Sequence, residues 1–240
     1  MTTVAIQTRN RSPLIKICGI TTDAELELLA ESGVDMVGLW FGVPGGKSNL
    51  SLRQFCRLSA RAVTLGLSPM MVTFLGDAVS IAEIASVAKI GWVQLHAFQP
   101  PRVVAELRML APSIQVVKVL HFAGLRCLED RFIAGYQRCD VSAFLLDRVH
   151  SGRIGSTGLS LGPRESYAVA QGLERPFLLA GGLRAENYEE YEPLVQLPAF
   201  LGADFDTGSR ATNGQLDGAR IRRLTQTWGA SGHGLADCFG

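Results

Sequence analysis

No CxxC pair occurs in this chain, and its five cysteines (18, 56, 127, 139 and 238) leave an odd number. That argues against a disulfide framework and for a reducing compartment, the cytoplasm. No apolar run approaches the ~20 residues a membrane helix requires. The richest stretch, Val34 to Val43, is interrupted by Asp35 and Gly38. The first thirteen residues lack the apolar centre of a secretion signal. Charge of one sign is not in excess either, with 23 basic against 22 acidic residues and a net +1. Nucleic acid and anionic membrane are therefore not expected as partners. No His, Cys and Asp cluster has a recognisable ligand spacing, so no metal is expected.

What the chain does have is 47% hydrophobic residues over a length of 240, enough for one large α/β domain. Short apolar runs begin near Leu14, Met36, Met70, Trp92, Gln115, Ser142, Phe177 and Ala199. Each reads as a strand covered on both faces. Segments with helical spacing lie between them: 23–32, 51–62, 77–89, 100–107, 125–134, 164–171, 185–191 and 217–228. Eight strand-then-helix units predict a single (β/α)8 TIM barrel with parallel strands over residues 14–228. An open doubly wound sheet is the competitor, but it more often has five or six strands. Residues 1–13 read as a flexible leader and 229–240 as a flexible tail. Long mouth loops are expected at Pro44 to Ser48 and at Ser151 to Ser156.

In a parallel barrel the C-terminal strand ends converge on one mouth, so their side chains are read together. The first strand runs Leu14-Ile15-Lys16-Ile17-Cys18 and exits through Gly19. Cys18 is either a catalytic thiol or a small core hydrophobe. The fourth ends at His96, a titrating group or a satisfied core histidine. The sixth ends at Asp147, a catalytic carboxyl or a structural one. Gly181 and Gly182 after the seventh strand, with Thr207 and Gly208 after the eighth, fit the phosphate site common in barrels. Lys16 shares the facing of Cys18.

The stretches Lys16-Ile17-Cys18-Gly19-Ile20-Thr21, Val93-Gln94-Leu95-His96, Leu145-Leu146-Asp147, Gly155-Ser156-Thr157-Gly158, Ala180-Gly181-Gly182-Leu183 and Asp204 to Gly208 occur in this order. Together they make the sequence resemble the phosphoribosylanthranilate isomerase family of tryptophan biosynthesis. The resemblance implies a cofactor-independent Amadori rearrangement, from aminoaldose to aminoketose, with Cys18 as general base and Asp147 as general acid. It also implies a small-molecule substrate held near Lys16, Lys47, His96, Asp204 and Asp206, in a monomer or homodimer. Other readings are a carbon–carbon lyase or other acid–base enzyme on this scaffold, and a non-catalytic binding barrel.

The sequence departs from the family pattern where a ligand is recognised. The family's Pro-Lys-Ser-x-Arg loop appears as Pro44-Gly45-Gly46-Lys47-Ser48-Asn49-Leu50-Ser51, with Ser48 in place of the arginine that holds the substrate carboxylate. An aspartate, Asp206, replaces a phosphate-contacting serine and is expected to repel a dianion. Gly214-Gln215-Leu216-Asp217 lacks two family lysines, and Arg148 replaces a threonine. Arg148, Arg153 and Arg210 are candidates for a replacement anion site. Altered substrate recognition is the expectation.

Overall fold

The computed structural model describes residues 12–124, 126–148 and 162–229. The expected leader and tail, and the loop containing Arg153 and Gly155 to Gly158, lie almost entirely outside the described residues. Nine strands are present among them: β1 (Leu14–Cys18), β2 (Met36–Trp40), β3 (Ser68–Thr73), β4 (Trp92–Leu95), β5 (Gln115–Ala123), β6 (Arg126–Cys127), β7 (Ala143–Arg148), β8 (Phe177–Leu179) and β9 (Phe200–Phe205). Eight of them pair in the order β4-β3-β2-β1-β9-β8-β7-β5, and a β4–β5 pairing closes the ring. All pairs around that ring are parallel, so the expected barrel is what forms. No helix among the described residues is long and apolar enough to cross a membrane.

The helices form where local chemistry starts them. Thr22 accepts from the Glu25 N–H while Glu25 reaches back, a capping box opening α1 (Asp23–Glu31). Ser51 and Gln54 do the same for α2 (Leu52–Thr64), and Asp77 caps α3 (Ala78–Val87). Pro101 occupies the first turn of α4 (Pro101–Leu110), where its missing N–H costs nothing. After α5 (Ile133–Arg138) come α6 (Pro163–Ala170), α7 (Glu192–Val195) and α8 (Gly218–Gly229).

One expected helix is displaced. Within 125–134, β6 instead pairs antiparallel with the end of β5, Phe122 opposite Cys127. A 3-10 turn then covers Asp130–Phe132, and helix begins only at Ile133. Gly124, at φ +60, turns the chain back. Glu129 then accepts the His121 N–H at 2.9 Å, which holds the hairpin down. Segment 185–191 forms as a 3-10 helix.

Alternation along the strands separates two apolar layers. Ile15, Ile17, Val37 and Leu39 face outward into the layer beneath the helices. Met36, Met70, Val117, Val119, Leu145 and Leu178 fill the barrel interior. A one-residue slip between β8 and β9 interrupts this alternation: Phe177 faces Phe200 but Leu178 faces Gly202. Leu201 and Asp204 are three residues apart, yet Leu201 packs on the inner layer and Asp204 bonds inward-facing Lys16. Only a bulge allows both. A β-carbon at Gly202 would lie 2.1 Å from the Leu14 carbonyl oxygen, so that position requires glycine.

Candidate active site

The strand ends open onto one cavity of about 500 Å³. Cys18, Lys47, His96, Asp147, Gly181, Gly182, Asp204, Asp206, Thr207 and Gly208 all line it. Lys16, expected at the ligand, does not. It is completely buried beneath the floor, with its ammonium donating to Asp204 at 2.7 Å. Burial pulls its pKa down, but Asp204 and Cys18 outweigh that and hold it above the ordinary lysine value. It therefore remains a fixed positive charge under the thiol.

Cys18 is nearly enclosed. A β-carbon at Gly38 on the neighbouring strand would come within 2.6 Å of its sulfur, so that glycine makes room for the thiol. Trp40, on the same face of β2, donates its indole N–H to the sulfur at 3.1 Å. Burial pushes the Cys18 pKa up to about 11, against the pull of Lys16 and the Trp40 bond. Lys16, which shares its facing, is not enough to ionise it. Desolvation wins instead, and the resting group is a thiol.

Asp147 enters from β7. Burial raises its pKa to about 7, although the Arg148 N–H donates to it at 2.8 Å and opposes the shift. At neutral pH much of it carries a proton it can give away. His96 Nε2 lies 3.7 Å from its Oδ2. That ring stacks on Phe74 and meets the edge of His121. Burial first, and then the neighbouring His121, Lys16 and Lys118, drive its pKa well below the usual value, so it is neutral.

The mouth of the cavity is electrically mixed. Asp206 is not a bare negative charge: Arg210 Nε donates to its Oδ1 at 2.7 Å and Lys47 Nζ lies 3.6 Å from its Oδ2. Lys47 is the only lysine or arginine among the described residues that line the cavity, and its side chain is 59% exposed. Ser48 is buried, and Arg53 points to solvent from α2. Opposite, Gly181 and Gly182 both adopt positive φ, and Gly208 packs its backbone against the Leu183 carbonyl. This leaves a wall of main chain able to approach an anion closely.

A family model for N-(5′phosphoribosyl)anthranilate (PRA) isomerase matches residues 15–227. The chain belongs to that family. It is 32% identical over 230 residues to an N-(5′-phosphoribosyl)anthranilate isomerase of Synechococcus sp. (strain JA-3-3Ab), covering 94% of this chain and 95% of that protein. It is also 32% identical over 214 residues to the Afipia carboxidovorans isomerase, covering 88% and 87%. The solved phosphoribosyl anthranilate isomerase of Thermus thermophilus shares the fold at 21% identity, with a TM-score of 0.71 over 89% of this chain and 97% of that one.

In this cavity Trp40, Val43 and Phe74, with Pro44 of the expected mouth loop, form an apolar wall; the first three are ones the sequence reading did not place there. The signal was available. Met36, Gly38 and Trp40 alternate inward along β2, and Phe74 follows the end of β3, so the strand-end rule applied to these two strands points to both. Arg210, expected as a free anion receptor, is instead committed to protein groups. Its Nη2 donates to the Cys18 and Gly19 carbonyls at 3.1 and 3.0 Å.

Proposed function

We propose that this chain catalyses the Amadori rearrangement of N-(5′-phosphoribosyl)anthranilate, with Asp147 as general acid and Cys18 as general base. The supporting observation is that a partly protonated carboxyl group and a thiol, from strands on different sides of the ring, face one closed-bottomed cavity.

Asp147 gives its proton to the furanose ring oxygen, and the C1′–O4′ bond breaks as the aryl nitrogen lone pair forms an iminium. That cation acidifies the C2′ proton and lowers the thiol pKa beside it; Cys18 gives its own proton to solvent, and the thiolate, with Lys16 beneath, takes the C2′ proton. The resulting enol becomes the ketone as Cys18 passes that proton to C1′ and the 2′ hydroxyl proton returns to Asp147, after which the thiolate recovers its proton from solvent. The protein ends with the protons it began with. Asp204 Oδ1 is buried without a hydrogen-bond partner and accepts from a sugar hydroxyl. The aromatic ring lies against Trp40 and Phe74, and the phosphate meets the main chain of Gly181, Gly182, Thr207 and Gly208.

Recognition of the aromatic carboxylate falls to Lys47, a point charge in place of a guanidinium fork. Asp206 competes for that ammonium, so this end of the substrate is read differently from the family pattern. Free thiols at Cys18, Cys56, Cys127 and Cys139 suit the cytoplasm. The barrel serves as monomer or homodimer.

The test is direct. The purified chain is given N-(5′-phosphoribosyl)anthranilate while loss of anthranilate fluorescence is followed, alongside complementation of a tryptophan auxotroph lacking the isomerase. Turnover and growth that vanish in Cys18→Ala and Asp147→Asn are expected. A folded wild-type chain that neither turns over the substrate nor restores growth overturns the proposal.

A further inference from the structure

The exit of β1 is pinned from two sides. On one side the N–H groups of Gly19 and Ile20 both donate to the Gly38 carbonyl, at 2.9 and 3.2 Å. On the other, a single nitrogen of Arg210, Nη2, donates to both of the outgoing carbonyls, those of Cys18 and Gly19. The remaining guanidinium nitrogens go elsewhere: Nε to Asp206 at 2.7 Å and Nη1 to the Gly214 carbonyl at 3.1 Å, with Glu25 of α1 at 3.5 Å. The Arg210 carbonyl is itself held by Arg220 at 2.8 Å.

One side chain, 10% exposed, thus ties the first strand, the first helix and the loop after the last strand together across the barrel seam. Its plane cannot be replaced by an ammonium, which lacks the rigid fork needed to meet these partners at once. Behind it there is no slack. A β-carbon on Gly19 would lie 3.2 Å from Ser48 Oγ and 3.4 Å from Arg210 Nη2.

We propose that Arg210 is a positioning residue for the Cys18 thiol: it fixes the Cys18–Gly19 peptide and thereby aims the sulfur from the strand end into the cavity. The peptide carbonyl it grips belongs to the residue that bears the thiol, so rotation of that peptide swings the Cα–Cβ bond. Asp206 is the counter-ion that orients the guanidinium. The aspartate and the arginine of this loop therefore act as one unit. The proposal builds on Cys18 as the base, and its test separates the two.

Arg210→Ala and Arg210→Lys are compared with the wild-type chain in three measurements. These are kcat and KM on N-(5′-phosphoribosyl)anthranilate, thermal melting, and the pH-dependent rate at which methyl methanethiosulfonate modifies Cys18, read by peptide mass spectrometry. A displaced reacting group typically costs about tenfold to a hundredfold. Accordingly kcat of folded Arg210→Ala falls by about that factor while KM changes by less than about threefold. Cys18 modification changes in step, millimolar guanidinium ion restores part of both, and Arg210→Lys stays below wild type. A purely structural role lowers melting temperature but leaves kcat and Cys18 modification of the folded fraction at wild-type values, which overturns the proposal. If Arg210→Ala does not fold, Arg210→Lys and Asp206→Asn decide it by the same readouts. If the wild-type chain has no turnover, the isomerase reading fails, and Cys18 modification alone still decides the role of Arg210.

Discussion

The indole N–H of Trp40 donates to the sulfur of Cys18 across 3.1 Å, so the aromatic wall of the cavity and its thiol are coupled. A donor to sulfur favours the thiolate. Trp40→Phe keeps an aromatic wall and removes the donor. The Cys18 pKa is then expected to rise further above about 11, where burial already holds it. Thiol modification at pH 8 should slow about tenfold, the weight of one hydrogen bond to a charged group. An unchanged alkylation profile would remove Trp40 from the control of the thiol.

Asp147 titrates near 7 and Cys18 near 11, an inverted order for an acid and a base that act together. In the free protein roughly 10⁻⁴ of molecules hold the protonated acid with the thiolate. The value of kcat/KM should climb with unit slope to about pH 7, where the rising thiolate fraction meets the loss of the Asp147 proton, and stay level above it. Asp147→Asn should abolish the break near pH 7 and lower activity at least about a hundredfold.

The same shift has a stability consequence. The folded state holds the Asp147 proton more tightly than the unfolded chain does. Stability from this site is complete below about pH 4 and is lost as pH rises through about 7. Asp147→Asn should therefore be more stable than wild type at pH 8, by roughly 2–4 kcal/mol in denaturant unfolding. That gain should shrink toward zero at pH 4.

Lys47 is shared between Asp206 and the open cavity. Lys47→Ala should raise KM about tenfold for the carboxylate-bearing substrate and leave kcat little changed, because a contact made equally in ground and transition states is lost. Added salt should weaken wild-type binding toward the variant. A substrate analogue lacking the carboxylate should bind both proteins alike, as competition assays would show.

Gly202→Ala puts a methyl group against the Leu14 backbone, where the nearest atoms are its carbonyl oxygen, nitrogen and carbonyl carbon and no flexible side chain can yield. The expected result is a chain that loses several kcal/mol or does not fold, as overpacking against fixed backbone allows. Circular dichroism melting would show it.

The residues at the ends of β1, β4, β7 and β9 were legible because each lies at the last position of a short apolar run. Strand parity and the barrel's single mouth then place them together. Trp40 and Phe74 were missed because aromatic residues at strand ends look like ordinary core. Only the fold shows that they line the cavity. The helix expected at 125–134 failed because β5 continues into a hairpin. Glu129 answers the His121 N–H there, eight residues back. Charge was the least legible property. Asp206 and Arg210 look like a stray carboxylate and a free cation until the fold sets them 2.7 Å apart.

The sequence by itself determined the eight-unit barrel and the identity of the chemical groups at its mouth. Hydrophobic period, helix caps and strand parity are local, and they survive reading one segment at a time. Tertiary structure decided the inward turn of Asp204 through the bulge at Gly202, the thiol state of Cys18, the proton on Asp147 and the commitment of Arg210 to β1. Each depends on desolvation or on contact between segments as distant as residues 14 and 202, or 18 and 210, which meet only when the ring closes.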